Sequence, residues 1–160
     1  MKKIELTTSI LVYESIEELP KEVNFLMQKA IAAKKDAYAP YSKFKVGAAL
    51  LLENGLIVTG NNQENAAYPS GMCAERVAIW KASSDYPTVK VLKLAISASS
   101  SSQLLKEPIA PCGGCRQTLS EYELNQKTNV EVYFMGEIGK IIKMDSILDL
   151  LPIAFDKSFL

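Results

Sequence analysis

The sequence predicts an α/β domain in which a mixed β-sheet is covered by helices on both faces. Three observations support this prediction: an amphipathic helix near the start, a β-hairpin after it, and a later alternation of helices with apolar strands. The chain has 160 residues, of which 48% are hydrophobic, and this is enough for one domain with its own core. We therefore expect residues 1–160 to form a single domain.

The first half of the chain predicts a helix and a hairpin. Pro20 suits the first turn of a helix, and the turn at residues 39–42 ends it. Its apolar residues recur at spacings of three and four, namely at Val23, Leu26, Met27, Ala30 and Ile31. Strands over residues 46–52 and 56–60 follow, joined by the turn signal Glu53-Asn54-Gly55.

The second half predicts alternating elements after a polar loop over residues 61–71. The serine-rich stretch 97–103 is interpreted as a loop after a strand. The predicted elements are a helix from Cys73 to about Ala82, a strand over 89–97, a helix from Cys112 to about Tyr122, strands over 130–135 and 140–143, and a short helix over 145–151.

Charge and hydropathy restrict the partners of the protein. Eighteen basic residues balance eighteen acidic ones, and no basic run occurs. Because counterion release dominates nucleic-acid binding, we expect no nucleic-acid partner. No apolar run approaches the roughly 20 residues of a membrane span, and the start lacks a signal-peptide pattern, so we expect a cytoplasmic protein without membrane contact. Residues 1–20 are an N-terminal extension for which the sequence gives no function.

The chain contains three cysteines and no histidine, which excludes Ser-His-Asp and Cys-His nucleophilic sites. Cys73, Cys112 and Cys115 all lie near predicted helix N-termini, where the helix dipole favours thiolates. A redox C-x-x-C pair leaves Cys73 unexplained, whereas three unrelated buried cysteines stay open at this point. A structural zinc site normally needs four ligands, but three ligands with an open position are typical of catalytic zinc.

Glu75 makes the zinc interpretation specific. Zinc deaminases carry the pattern H-x-E…P-C-x-x-C, in which a cysteine can replace the histidine and the glutamate carries protons. This chain has Cys73-Ala74-Glu75 followed by Pro111 and the C-x-x-C pair. The same order of ligand, carboxylate and ligand pair is therefore present.

Further motifs extend the match. They are Tyr41-Ser42-Lys43-Phe44-Lys45-Val46-Gly47-Ala48-Ala49-Leu50, Asn62-Gln63-Glu64-Asn65-Ala66, Cys73-Ala74-Glu75-Arg76 and Pro111-Cys112-Gly113-Gly114-Cys115-Arg116-Gln117. On these motifs the sequence resembles the small homotetrameric zinc-dependent cytidine deaminases, and the resemblance spans roughly Phe25 to Phe155. It implies the three-layer cytidine-deaminase-like form of the predicted α/β fold.

The resemblance also implies a reaction and the residues that perform it. One Zn²⁺ per chain would be held by Cys73, Cys112 and Cys115, and would supply hydroxide for attack at C4 of the base. Glu75 would shuttle protons, so that cytidine and deoxycytidine become uridine and deoxyuridine with release of ammonia. Arg76 could donate hydrogen bonds to the thiolates and offset their negative charge.

Five positions match substrate contacts of the family. Asn62 and Glu64 would bind the ribose, Phe44 would pack on the pyrimidine, and the Ala74 backbone would contact the base edge. Phe155, near the C-terminus, would reach the site of a neighbouring subunit in a homotetramer. By residue type alone, Asn62 and Glu64 would be solvated loop residues and Phe44 a core residue.

Other functions compete with this one. A deaminase of a blasticidin-type aminonucleoside shares the cysteine and glutamate core, and a nucleic-acid-editing deaminase would need a basic path for flanking nucleotides. A non-catalytic zinc-binding module would leave Glu75 unexplained. Arg116 is interpreted as part of an exposed salt bridge at a helix start, with phosphate binding as the alternative. The sequence leaves the choice between cytidine and deoxycytidine open.

Overall fold

A six-stranded mixed sheet forms the middle layer of the protein. The computed structural model of the protein describes residues 1–160. The strands are β1 (Leu11–Tyr13), β2 (Phe44–Leu52), β3 (Ile57–Asn61), β4 (Val91–Ser100), β5 (Glu131–Met135) and β6 (Ile141–Met144). Their order across the sheet is β1-β6-β5-β4-β2-β3. Only β4 and β5 are parallel neighbours, which confirms the predicted mixed sheet.

Three helices cover the two faces of this sheet, as predicted. They are α1 (Lys21–Lys35), α2 (Ala74–Asp85) and α3 (Gly113–Gln126). Successive side chains of β2 point to opposite faces. Ala49 and Leu51 therefore join the core under α1, whereas Ala48 and Leu50 join the core shared with α2 and α3.

The direction of the strands brings the starts of α2 and α3 to one edge of the sheet. Strand β3 is antiparallel to β2, and β2 is antiparallel to β4, so β3 and β4 run in the same direction. Helix α2 follows β3 in the chain, and α3 follows β4. The two helix N-termini, each with unpaired N–H groups and a positive dipole end, thus lie near each other.

Most element ends differ from the predictions by one to four residues, and three assignments differ in kind. Strand β4 continues to Ser100, so the assignment of residues 97–100 to a loop is wrong; pairing of Ser97–Ser100 with Phe44–Gly47 outweighs the low strand propensity of serine. The predicted helix over 145–151 is a short 3-10 helix, Ile147–Leu150. Strand β1 was not predicted, because three residues give no readable alternation.

The N-terminal extension is attached to the rest of the protein. Strand β1 pairs antiparallel with β6 at one sheet edge, and the Thr8 hydroxyl donates to the Asp149 carbonyl at 3.4 Å. Tyr13 and Ile16 pack against the core under α1. The extension therefore covers the edge of β6, which would otherwise expose unpaired backbone groups. None of the helices combines the length and the apolarity that crossing a bilayer requires.

Helix α2 lies directly on β3 at Gly60. A Cβ atom at this position would lie 2.5 Å from the Ala74 carbonyl oxygen and 2.6 Å from the Ala78 nitrogen. Because both are backbone atoms, no side-chain rotation relieves the clash. We expect Gly60→Ala to lower the free energy of unfolding by about 3 kcal/mol, the upper part of the range for overpacking, as measured by urea denaturation.

The same substitution should also displace Cys73, because the displaced turn of α2 begins next to it. A matched control is Gly55→Asn in the β2–β3 turn, where a Cβ meets nothing within 4 Å and asparagine tolerates the positive φ of 82°. Equal stabilities for the two variants would contradict the close contact between α2 and β3.

Candidate active site

The three cysteines form one cluster at the edge where α2 and α3 begin. Cys73 is the N-cap residue of α2, Cys112 is the N-cap residue of α3, and Cys115 lies in the first turn of α3. Their sulfur atoms all lie within 4.8 Å of one another, and the Cys73 and Cys112 sulfurs are 3.9 Å apart. A tetrahedral zinc site with Zn–S bonds of about 2.3 Å places its sulfurs about 3.8 Å apart. The cluster therefore has the donor atoms and the spacing of a zinc site.

The surroundings of Cys73 favour a thiolate. The Arg76 Nη2 donates to the Cys73 sulfur at 3.4 Å. A hydrogen bond from the Cys115 thiol, assisted by Arg76 and opposed by burial, lowers the pKa of Cys73 to about 5. The same contact raises the pKa of Cys115, because that thiol is the donor. Negative charge thus gathers at Cys73, and thiolate is the form that binds metal.

Arg76 is the charged neighbour of this cluster. Its guanidinium carbon lies 5.9 Å from the centre of the Trp80 ring, so the indole supports the group from one side. The hydrogen bond to Cys73 raises the pKa of Arg76. The Arg76 Nε is buried without a hydrogen-bond partner, so one donor of the guanidinium is unused.

Glu75 is buried beside the cysteines. It is the second residue of α2, it lines the same cleft as Cys73, and only 4% of it is exposed. Burial raises the pKa of Glu75, and the negative charge of Cys73 adds to this effect. Its own backbone N–H, Cys115 and Arg76 act in the opposite direction. A carboxylate whose pKa is raised is a stronger base than an ordinary carboxylate, and it therefore accepts a proton more readily.

The cluster opens into a cleft of about 1010 Å³. This volume lies at the upper end of the ~300–1,000 Å³ range of small-molecule sites. Its lining is mixed apolar and polar, and Arg76 is its only basic residue. The residues that line it are Tyr41, Ser42, Phe44, Val46, Asn62, Gln63, Glu64, Asn65, Ala66, Tyr68, Pro69, Gly71, Met72, Cys73, Glu75, Arg76, Ile96, Ile109, Ala110 and Cys112.

Asn62 joins the loop after β3 to the first residues of β2. Its Oδ1 accepts from the Val46 N–H at 2.7 Å, and its Nδ2 donates to the Phe44 carbonyl at 2.9 Å. Each of these atoms can form one more hydrogen bond. Asn62 therefore fixes the position of Phe44, a structural contact that the sequence analysis missed.

Glu64 holds the turn before β2. Its carboxylate accepts from the Tyr41 N–H at 2.9 Å, from the Ser42 N–H at 3.2 Å and from the Ser42 hydroxyl. The hydrogen bond from Ser42 lowers the pKa of Glu64, so this group is a carboxylate at neutral pH. The only sequence signal for this contact is that Ser42 and Glu64 each lie in a matched motif, residues 41–50 and residues 62–66 respectively.

Ala74 and Phe155 lie outside the cleft surface. Ala74 is fully buried at the start of α2. Phe155 is 59% exposed and stacks on Phe159 with 5.7 Å between ring centroids. The Gln117 Nε2 donates to the Phe155 carbonyl at 2.8 Å, which ties this segment to α3. Within one chain, the Phe155 ring is therefore no part of the cleft.

Residues 20–131 match a family model described as the cytidine and deoxycytidylate deaminase zinc-binding region. The chain belongs to this deaminase family. A cytidine deaminase of Sporosarcina psychrophila is 42% identical over 137 residues, which cover 85% of this chain and 93% of the relative. One from Halalkalibacterium halodurans is 40% identical over 130 residues, which cover 81% of this chain and 91% of the relative.

The fold agrees with a solved member of the family. The crystal structure of cytidine deaminase from Burkholderia pseudomallei superposes with a TM-score of 0.70 at 39% sequence identity, and the match covers 82% of this chain and 97% of that chain. The family region ends before β6 and begins after β1, so the pairing of these two strands lies outside it.

Proposed function

We propose that the protein hydrolyses the C4 amino group of cytidine and deoxycytidine, which yields uridine or deoxyuridine and ammonia. The observation that supports this most directly is that buried Glu75 lines the same cleft as Cys73 and Cys112, two members of the cluster of three cysteines. The relatives bear the name cytidine deaminase. Because the cleft has no basic residue free to bind phosphates, we infer free nucleosides rather than nucleic acid as substrates.

One zinc ion per chain would be held by Cys73, Cys112 and Cys115. In such a site, with three protein ligands and an open position, zinc lowers the pKa of water so that hydroxide is available near neutral pH. Arg76 would compensate part of the negative charge of the three thiolates through its contact with Cys73.

Glu75 would carry the protons of the reaction. In its carboxylate form it takes a proton from the attacking water and delivers it to N3 as the new C4–O bond forms. It then takes the remaining hydroxyl proton and delivers it to the amino nitrogen. The C4–N bond breaks and ammonia leaves, so that one water is consumed for each ammonia released.

The substrate would lie between Phe44 and the cysteine cluster. Phe44 would pack on the pyrimidine, and the Ala74 backbone would contact the edge of the base. The free hydrogen-bonding capacity of Asn62 and Glu64 suits sugar hydroxyls, which both donate and accept. Because both side chains also hold the Phe44 segment, sugar recognition and base stacking would be linked.

We also infer a homotetramer that acts in pyrimidine salvage in the cytoplasm. Phe155 is exposed and lies outside its own cleft, which is consistent with a role at the site of a neighbouring subunit. The cysteines are unpaired, as expected in a reducing compartment. Light scattering coupled to gel filtration tests the tetramer, and a monomeric, fully active protein would contradict it.

The direct test is incubation of purified, zinc-loaded protein with cytidine and with deoxycytidine, followed by ultraviolet absorbance. We expect loss of the cytosine band together with stoichiometric ammonia, and none with heat-denatured protein. If one zinc per chain is bound but neither nucleoside reacts, the substrate assignment is wrong; a blasticidin-type aminonucleoside is then the next substrate to assay.

Replacing Arg76 tests the proposed compensation of charge. We expect Arg76→Gln to lower kcat/KM by roughly tenfold and to alter its pH profile, while most of the zinc stays bound because all three sulfurs are retained. Metal analysis and pH-dependent kinetics measure the two effects. Trp80→Leu, which removes only the ring against the guanidinium, is the matched control and should have a smaller effect. Unchanged kinetics for Arg76→Gln would contradict this role.

A further inference from the structure

Arg116 connects the loop before α3 to the C-terminal segment. Its Nε donates to the Pro111 carbonyl at 2.8 Å, and its Nη1 donates to the Leu150 carbonyl at 3.1 Å. Arg116 takes part in no ion pair, so its interpretation as an exposed salt bridge is wrong. The guanidinium instead spans two backbone carbonyls that are 39 residues apart in the chain.

The Pro111 carbonyl belongs to the peptide unit that leads into Cys112. The first backbone hydrogen bond of α3 runs from the Arg116 N–H to the Cys112 carbonyl at 2.9 Å. The Pro111 carbonyl lies before this bond, so the helix provides it with no backbone donor. Pro111 is fully buried, and a buried carbonyl without a partner is costly. Arg116 therefore supplies the donor that keeps this peptide unit, and with it the backbone of Cys112, in one orientation.

Cys112 is the sulfur donor with the fewest restraints of its own. Cys73 receives a hydrogen bond from Arg76, and Cys115 is fully buried. Cys112 is exposed, and the only hydrogen bond of its sulfur is with the sulfur of Cys73, at 3.9 Å. Its placement consequently depends on the backbone on either side of it.

The far anchor of Arg116 is held firmly. Leu150 ends the 3-10 helix Ile147–Leu150, whose start is fixed by the buried carboxylate of Glu123 on α3. This carboxylate accepts from the Ile147 N–H at 3.0 Å and from the Ser146 hydroxyl. Both ends of the Arg116 bridge are thus attached to well-packed parts of the fold.

We propose that Arg116 is a positioning residue that places Cys112 for metal binding by bridging the Pro111 and Leu150 carbonyls. The inference rests on the proposed zinc site and extends it to a residue that touches neither metal nor substrate. Lysine keeps the positive charge but lacks the planar fork that serves two acceptors in different directions. The geometry, and not the charge alone, is therefore the property to be tested.

The test compares the full-length wild type with Arg116→Lys and Arg116→Gln after loading with zinc. We expect zinc transfer to an excess of a chromogenic chelator to be roughly tenfold faster in both variants, the lower end of the effect of groups that orient metal ligands. In the cobalt-substituted proteins, the thiolate-to-metal charge-transfer absorption should also change in position or intensity. Neither readout depends on turnover.

Gln117→Ala is the matched control, because it removes another side-chain hydrogen bond from α3 to the C-terminal segment, the one to the Phe155 carbonyl, but leaves both Arg116 hydrogen bonds and the Glu123 anchor in place. It should leave zinc release at the wild-type rate. Release from the Arg116 variants at the wild-type rate, or release from Gln117→Ala as fast as from them, would overturn the inference while the zinc site stands. A wild type that binds no zinc would overturn both.

Discussion

Replacing Glu75 with glutamine is expected to lower the turnover of cytidine by about 10²–10⁴-fold, the usual contribution of general acid–base catalysis. Glutamine has nearly the same shape, but it can neither take a proton from water nor deliver one to the base. The cysteines are untouched, so zinc should stay bound at the wild-type level. Steady-state kinetics and metal analysis of the same preparation separate the two effects.

Whereas its turnover falls, the free energy of unfolding of metal-free Glu75→Gln should not fall. Burial raises the folded-state pKa of Glu75 above its ordinary value, so its ionisation at neutral pH opposes folding. This penalty is present above the raised pKa and disappears below the ordinary value of about 4.3. We therefore expect metal-free Glu75→Gln to be at least as stable as the wild type at neutral pH, with the difference vanishing in acid.

Glu123→Gln is the matched control, since Glu123 is equally buried but accepts three hydrogen bonds away from the cleft. It should lose stability and keep most of its turnover. A loss of less than tenfold for Glu75→Gln would show that Glu75 is not the proton carrier. A similar loss for both variants would indicate that the effect comes from a disturbed core.

The main elements of the fold could be predicted because periodicity and turn chemistry are local. The spacing from Val23 to Ala30 predicts α1, and Gly55 in the hairpin turn has the positive φ that its position suggests. Strand β1 and the end of β4 could not be predicted, because both depend on pairing with a distant strand. Backbone hydrogen bonds across the sheet determine these residues, and propensity alone does not.

In the candidate site, residue types were readable from the sequence, whereas the contacts between them were not. Cys73 and Cys112 could be proposed as metal ligands, and Glu75 as a proton carrier, because metal and proton chemistry restrict the residue type. The bridge from Arg116 to Leu150 joins a side chain to a carbonyl, and every residue carries a carbonyl, so no pattern marks the partner. The same holds for Asn62 and the backbone of β2.

Replacing Cys115 with serine is expected to remove nearly all of the zinc that the wild type binds and to abolish turnover. A serine hydroxyl stays protonated at neutral pH and is a poor zinc ligand, and two thiolates do not complete the site. Because metal binds the folded state, its loss should also remove the increase in Tm that zinc gives the wild type. Metal analysis, kinetics and thermal unfolding with and without zinc measure these effects.

The comparison among the three cysteines separates a zinc site from three unrelated core residues. If they were only packing groups, the cost of substitution would follow burial: Cys115→Ser would be damaging and Cys112→Ser, at an exposed position, nearly neutral. If they are ligands, each serine variant loses zinc and turnover to the same extent, although their metal-free stabilities differ. Wild-type zinc content in Cys112→Ser would therefore contradict the ligand set. Loss of zinc from this variant would support it, because an exposed side chain has no packing role that could explain the loss.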